Sequence, residues 1–188
     1  MSDFATRYVT LPDLLEAYDD AYYEVTRLLF EAGRHPEPPQ WLLSHVVALC
    51  DEYAALAEGS SEPPPDRGTD YVAAFAEAGR RARHAFGQDG YIETDHLTPI
   101  GIMPGSATVQ HVVNELVSHA WDIAHAIGAQ VQLPDELCDR VRESWQVYFD
   151  TYGRPEINFE PEQPAPEEAG AADRLAAYLG RTVETPTV

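Results

Sequence analysis

His111, Glu115 and His119 stand four residues apart in the segment TVQHVVNELVSHAWDIAHAIG. Imidazole and carboxylate groups ligate divalent transition metals and relay protons. Four residues turn a helix about 40° past a full circle, so on a helix the three side chains form one row. Such a row can be a metal site, a proton relay, or polar groups where a buried face meets water. A single His beside an apolar face is most often a core or surface group. A Glu and a His one turn apart at a core edge ask for a common partner, because carboxylates are rarely buried alone. Neutral imidazole and carboxylate suit zinc, iron, nickel and manganese. Glu115 and His119 supply only two ligands, so a third has to come from elsewhere. His111 lies about 12 Å along the axis from His119, too far for both to hold one ion easily, and it reads as a polar pocket residue. Asp122, three residues after His119, either orients that imidazole from behind or stands as a surface acid. His125 points to the next turn and reads as structural.

The element that positions this row is a helix. Val109, Val112, Val113, Leu116, Ala120, Ile123, Ala124 and Ile127 recur at helical spacing and predict a helix from Thr108, stopped at Gly128. A first helix is expected from Thr10, with Asp13 three residues on as in a capping box, to Ala32. A second begins near Pro39 with Leu42, Val46, Leu49, Tyr53 and Leu56 inward, and His45 flanks that stripe. A third covers Asp70 to Phe86 and a fifth Pro134 to about Tyr152. An extended Pro-rich stretch follows, and then a short final helix around ADRLAAYLGR. The segment Gly87 to Gly105 reads as a long functional or partly structured loop. Its His96 has no spacing argument behind it. No strand, repeat or glycine-rich phosphate loop is expected.

Length and composition bound the rest. The 188 residues fit one domain with a sizeable core, and 44% are hydrophobic. No apolar run reaches the ~20 residues that cross a bilayer, and no signal peptide is read at the N-terminus. A cytoplasmic protein is the expectation. A net charge of −20, with every one of the 12 basic residues an Arg, disfavours nucleic acid and anionic membranes. Cys50 and Cys138 are far apart and predict no disulfide framework.

ELVSHAWDIAHAIG resembles the Glu-x-x-x-His-Gly-Trp-Asp-Leu-Ala-x-Ala-x-Gly segment of DinB-like metal-binding proteins. The nearest of these are actinobacterial proteins related to the N-terminal domain of mycothiol-dependent maleylpyruvate isomerase. DRLAAYLGR resembles their usual C-terminal ending, and QWLLSHVVAL their second helix. The resemblance implies an all-α, DinB-like four-helix bundle with an extended C-terminal segment and a short final helix. One domain is expected over residues 1–188, with the bundle at about 8–153. Residues 154–188 hold too few apolar groups to fold alone, yet Phe159, Leu175, Tyr178 and Leu179 need cover, so this segment is expected to pack on the bundle. The resemblance also implies metal ligands at His45, Glu115 and His119. Trp41 departs from the pattern: it precedes His45 by one turn, where relatives usually place a Trp about two turns before.

Three ligands with an open fourth position are the mark of a catalytic zinc site. The resemblance therefore implies a divalent metal, zinc first, that activates the thiolate of a low-molecular-weight thiol such as mycothiol. The enzyme would be an S-transferase or isomerase acting on a small molecule. The same ligands also fit a metal-dependent hydrolase, lyase or cyclase using bound water or bound substrate, or a non-catalytic metal-binding bundle. No residue is assigned to catalysis itself. His111, Asp122 and Trp41 are expected behind the ligands or in the pocket wall, and a homodimer is compatible with all three readings.

Overall fold

The computed structural model describes residues 13–98, 101–155 and 159–184. The architecture is almost wholly helical. Six helices occur among these residues: α1 (Leu14–Ala32), α2 (Gln40–Ala57), α3 (Tyr71–Phe86), α4 (Gly105–Ile127), α5 (Asp135–Tyr152) and α6 (Ala171–Tyr178). The expected cap at Thr10 lies outside the described residues, but Asp13, expected within the first turn, precedes the helix in a left-handed conformation (φ 59°) and makes no side-chain capping hydrogen bond. Two four-residue strands, β1 (Asp95–Thr98) and β2 (Gly101–Pro104), pair antiparallel within the segment read from the sequence as a loop. The expectation of no strand is thereby corrected. So short a pair carries too few alternating residues to show a period of two.

α1 to α4 bury most of the face their apolar spacing marks, whereas α5 buries Leu137, Val141 and Ser144 together with Trp145 and Phe149 and leaves Tyr152, expected on the inward side, exposed. α1 buries Tyr18, Val25, Leu28 and Leu29, and α4 buries Val109, Val112, Val113, Leu116, Ala120 and Ile123. α1 packs on α4 and α3, and α2 packs on α3 and α4. α2 runs antiparallel to α4: His45, near its start, meets His119, whereas Tyr53, two turns on, meets His111. Local chemistry sets the helix ends. Asp70 Oδ1 accepts the Ala73 N–H at 3.1 Å and caps α3. Gly128 takes the left-handed conformation (φ 68°) that closes α4, and the Ala129 N–H returns to the Ala124 carbonyl at 2.9 Å.

α4 starts three residues earlier than its apolar spacing predicts. The carbonyls of Thr94 and Ile92 accept the Gly105 and Ser106 N–H groups at 2.8 and 3.0 Å, satisfying donors that a helix start leaves free. The chain passes so close there that a Cβ on Gly105 would lie 1.9 Å from the Tyr91 carbonyl oxygen.

α5 and α6 lie against α4. A buried polar chain ties α5 in place. Gln110 Nε2 donates to Asn114 Oδ1 at 2.8 Å, and Asn114 Nδ2 donates to Ser144 Oγ at 2.8 Å. Trp145 Nε1 donates to Ser118 Oγ at 3.1 Å. α6 buries Ala171, Leu175 and Ala176. Trp121 Nε1 of α4 donates to Asp173 Oδ1 of α6 at 2.8 Å. One apolar cluster runs from Leu14 of α1 to Leu179 after α6. Among the described residues, no helix is long and apolar enough to cross a membrane.

Candidate metal centre

α2 and α4 bring His45, Glu115 and His119 together. One ligand atom from each lies within 4.8 Å of the others. Glu115 Oε2 is 3.3 Å from His119 Nε2 and 4.0 Å from His45 Nε2. The two imidazoles meet edge to face, with centroids 4.9 Å apart. Ligands about 2.0–2.1 Å from a zinc ion at tetrahedral angles stand roughly 3.3 Å from one another. The Glu115–His119 pair has that spacing, and His45 is slightly wider. His45 is also the most exposed of the three, at 45% of its side chain against 19% for Glu115 and 12% for His119.

His119 is held from behind. Its Nδ1 is 3.0 Å from Asp122 Oδ2. A carboxylate can only accept, so Nδ1 carries a proton toward Asp122; without a metal ion Nε2 also presents a proton to Glu115, and an ion bound there would take the Nε2 lone pair in its place. Asp122 is gripped in turn by Arg181, whose Nε and Nη2 donate to Oδ1 and Oδ2 at 3.0 and 2.8 Å. Burial pushes the Glu115 carboxyl up, but the facing imidazoles of His119 and His45 outweigh it and hold the group far below the usual carboxylate range. Burial lowers the His119 imidazole, while Asp122 and Glu115 raise it more, to about 9. Asp122 is likewise held low, its burial outweighed by His119 and Arg181. The space beside Glu115 therefore favours positive charge, whether proton or metal cation.

These residues line a pocket of about 410 Å³, walled by Trp41, Ser118, Trp145, Phe159 and Arg181 as well as by the three candidate ligands and Asp122. Trp41 is 71% exposed and stands at the rim. His111 is not among the lining residues. It lies between the rings of Tyr53 and Trp145, with centroids at 5.5 and 6.1 Å, and burial pushes its imidazole down toward the neutral form. His96 packs its ring on Tyr91 at 4.2 Å, in β1. His125 stacks on Trp121 at 4.7 Å. Ser118, Trp145, Phe159 and Arg181 line the pocket without being among the site residues that the sequence singles out. For Arg181 a signal existed, because it closes the DRLAAYLGR motif; for the two aromatics their spacing gives none.

Fold and site thus define an all-α protein with a three-donor candidate metal centre. No protein-family description matches the chain, and no solved structure matches it. Its relatives include the uncharacterized proteins Rv0738 and MT0763 of two Mycobacterium tuberculosis strains, each 33% identical over 143 residues, 76% of this chain and 78% of theirs. The chain belongs to the family of these mycobacterial proteins.

Proposed function

We propose that the chain is a DinB-like four-helix bundle, formed by α1 to α4, that holds one divalent metal ion, zinc first, on His45, Glu115 and His119. It would use the ion for thiol-dependent transfer onto, or isomerisation of, a small electrophile. The observation that carries this reading is the convergence of three donors from two helices, within 4.8 Å, at the wall of a pocket. Two imidazoles and a carboxylate are the donor set of an open zinc site. The carboxylate behind His119 is the usual support for such a ligand. The relatives come from Mycobacterium, an actinobacterial genus, in keeping with the group that the sequence resembles.

When bound, the ion would supply the positive charge that keeps a coordinated thiol ionised at neutral pH. The chain does the rest. Asp122 fixes which nitrogen of His119 faces the pocket. Trp145 and Phe159 offer apolar walls for the carbon skeleton of the electrophile and exclude water. The exposed side at Trp41 and His45 gives small molecules a way in. A volume of about 410 Å³ lies within the common range for small-molecule sites.

Metal analysis of the purified protein should find about one divalent ion per chain. His119→Ala or Glu115→Gln should abolish that stoichiometric metal while circular dichroism still reports a folded helical protein. Adding a low-molecular-weight thiol to cobalt-substituted protein should produce a sulfur-to-metal charge-transfer band, and turnover of an electrophile should require the thiol. Protein that takes up no metal would sink the site. A full cobalt site blind to thiol would move the function to the hydrolase, lyase or cyclase class.

A further inference from the structure

Arg181 enters the site from beyond α6. Its fork of two donors closes on both oxygens of Asp122, and one of those oxygens also accepts the Nδ1 proton of His119. A carboxylate held by one imidazole alone can turn about its own side-chain bonds. The planar guanidinium removes that freedom by fixing the carboxylate plane. Arg181 is itself anchored. Its Nη1 donates to the Leu179 carbonyl at 3.2 Å, and its backbone N–H to the Ala176 carbonyl at 2.9 Å. Leu175 and Leu179, on either side of the turn, are each 1% exposed. Gly180 adopts φ +97°, and Glu160 packs so closely that an added Cβ would lie 2.5 Å from its carbonyl oxygen.

We infer that Arg181 is a positioning residue for the metal ligand His119, acting through Asp122, so that seating of the C-terminal segment and metal affinity are one coupled property. The inference rests on the reading of His45, Glu115 and His119 as metal ligands. Coupling of this kind is reciprocal: whatever the seated segment adds to metal affinity, the metal adds to the seating. A merely structural ion pair would change the melting temperature and leave affinity for the ion alone.

The test is zinc affinity of the full chain, measured by competition with a chromophoric chelator, together with amide exchange of residues 171–181 with and without zinc. Arg181→Met should bind zinc about 10–100-fold more weakly. Arg181→Lys, a point charge without the fork, should fall between. The double variant Asp122→Asn with Arg181→Met should bind no more weakly than Asp122→Asn alone, because both act on one path. Zinc should slow exchange over residues 171–181 in the unsubstituted chain but not in Arg181→Met. Should Arg181→Met fail to fold, Arg181→Lys and Asp122→Asn carry the same comparison. Unchanged affinity in these variants, with zinc bound normally by the unsubstituted chain, overturns this inference and leaves the proposed site standing. An unsubstituted chain that binds no zinc overturns both.

Discussion

His119 lies between two carboxylates and so serves as the hinge of the site. Glu115, His119 and Asp122 could be read from one stretch because helical spacing alone places them side by side. His45 is 70 positions from Glu115, and only its place beside an apolar stripe, with the resemblance, brought it forward. Arg181 could not be reached by spacing, since its partner Asp122 is 59 positions away and on another element. His111 shows the opposite limit. Its place in the row is as regular as that of Glu115, yet its ring goes between Tyr53 and Trp145. A period reports a face and not the neighbour waiting there. The cysteines permit a separate test at this scale. Both are buried, and burial pushes each thiol up to about 12, with Tyr18 Oη 3.7 Å from the Cys50 sulfur. The folded state therefore favours the neutral thiol. That contribution to stability is intact below the ordinary thiol range near 9 and is lost as pH climbs toward about 12. A chromogenic disulfide reagent should label neither cysteine at neutral pH until denaturant is added. Rapid labelling of the native protein would contradict their burial.

At the scale of elements, long periodic helices were legible and short contacts were not. α1, α2, α3 and α5 fall where apolar spacing predicts, within a few residues at the ends. The early start of α4 depends on carbonyls from Thr94 and Ile92, which no local pattern announces. Gly105 tests that account. Gly105→Ala would drive a methyl group into the Tyr91 carbonyl, and backbone cannot step aside as a flexible side chain can. Overpacking of this kind costs about 1–3 kcal/mol or more, which urea unfolding can measure. Gly170→Ala, where an added Cβ meets nothing within 4 Å, is the control and should stay near the parent. Equal stability of the two variants would mean that the first turn of α4 is not held as described.

The whole molecule is a core that α6 helps to close. Arg154 lies over the rings of Phe149 and Tyr178, at 4.2 and 5.0 Å, and its Nη1 donates to the Tyr178 carbonyl. With Leu175 and Leu179 buried, each side chain withdrawn from water is worth about 1.5–3 kcal/mol. Deleting residues 154–188 should therefore remove several kcal/mol and lower the melting temperature by many degrees. An unchanged melt would show that this segment adds nothing to the fold. The net charge of −20 acts against compactness everywhere at once. Raising ionic strength from low salt to about 0.15 M, where the Debye length is ~8 Å, should raise the melting temperature without altering the helical signal.

The buried polar chain from Gln110 through Asn114 to Ser144 acts as a vernier between two rods. Apolar surfaces slide past one another at little penalty, but a slip of α5 by one turn, about 5.4 Å, would take Ser144 from the Asn114 amide. A stranded buried donor costs about 1–3 kcal/mol, and the same slip would carry Trp145 off Ser118 and out of the pocket wall. Replacing the three polar residues with well-packed aliphatic ones would make a more heat-resistant protein with a less sharply defined aromatic wall.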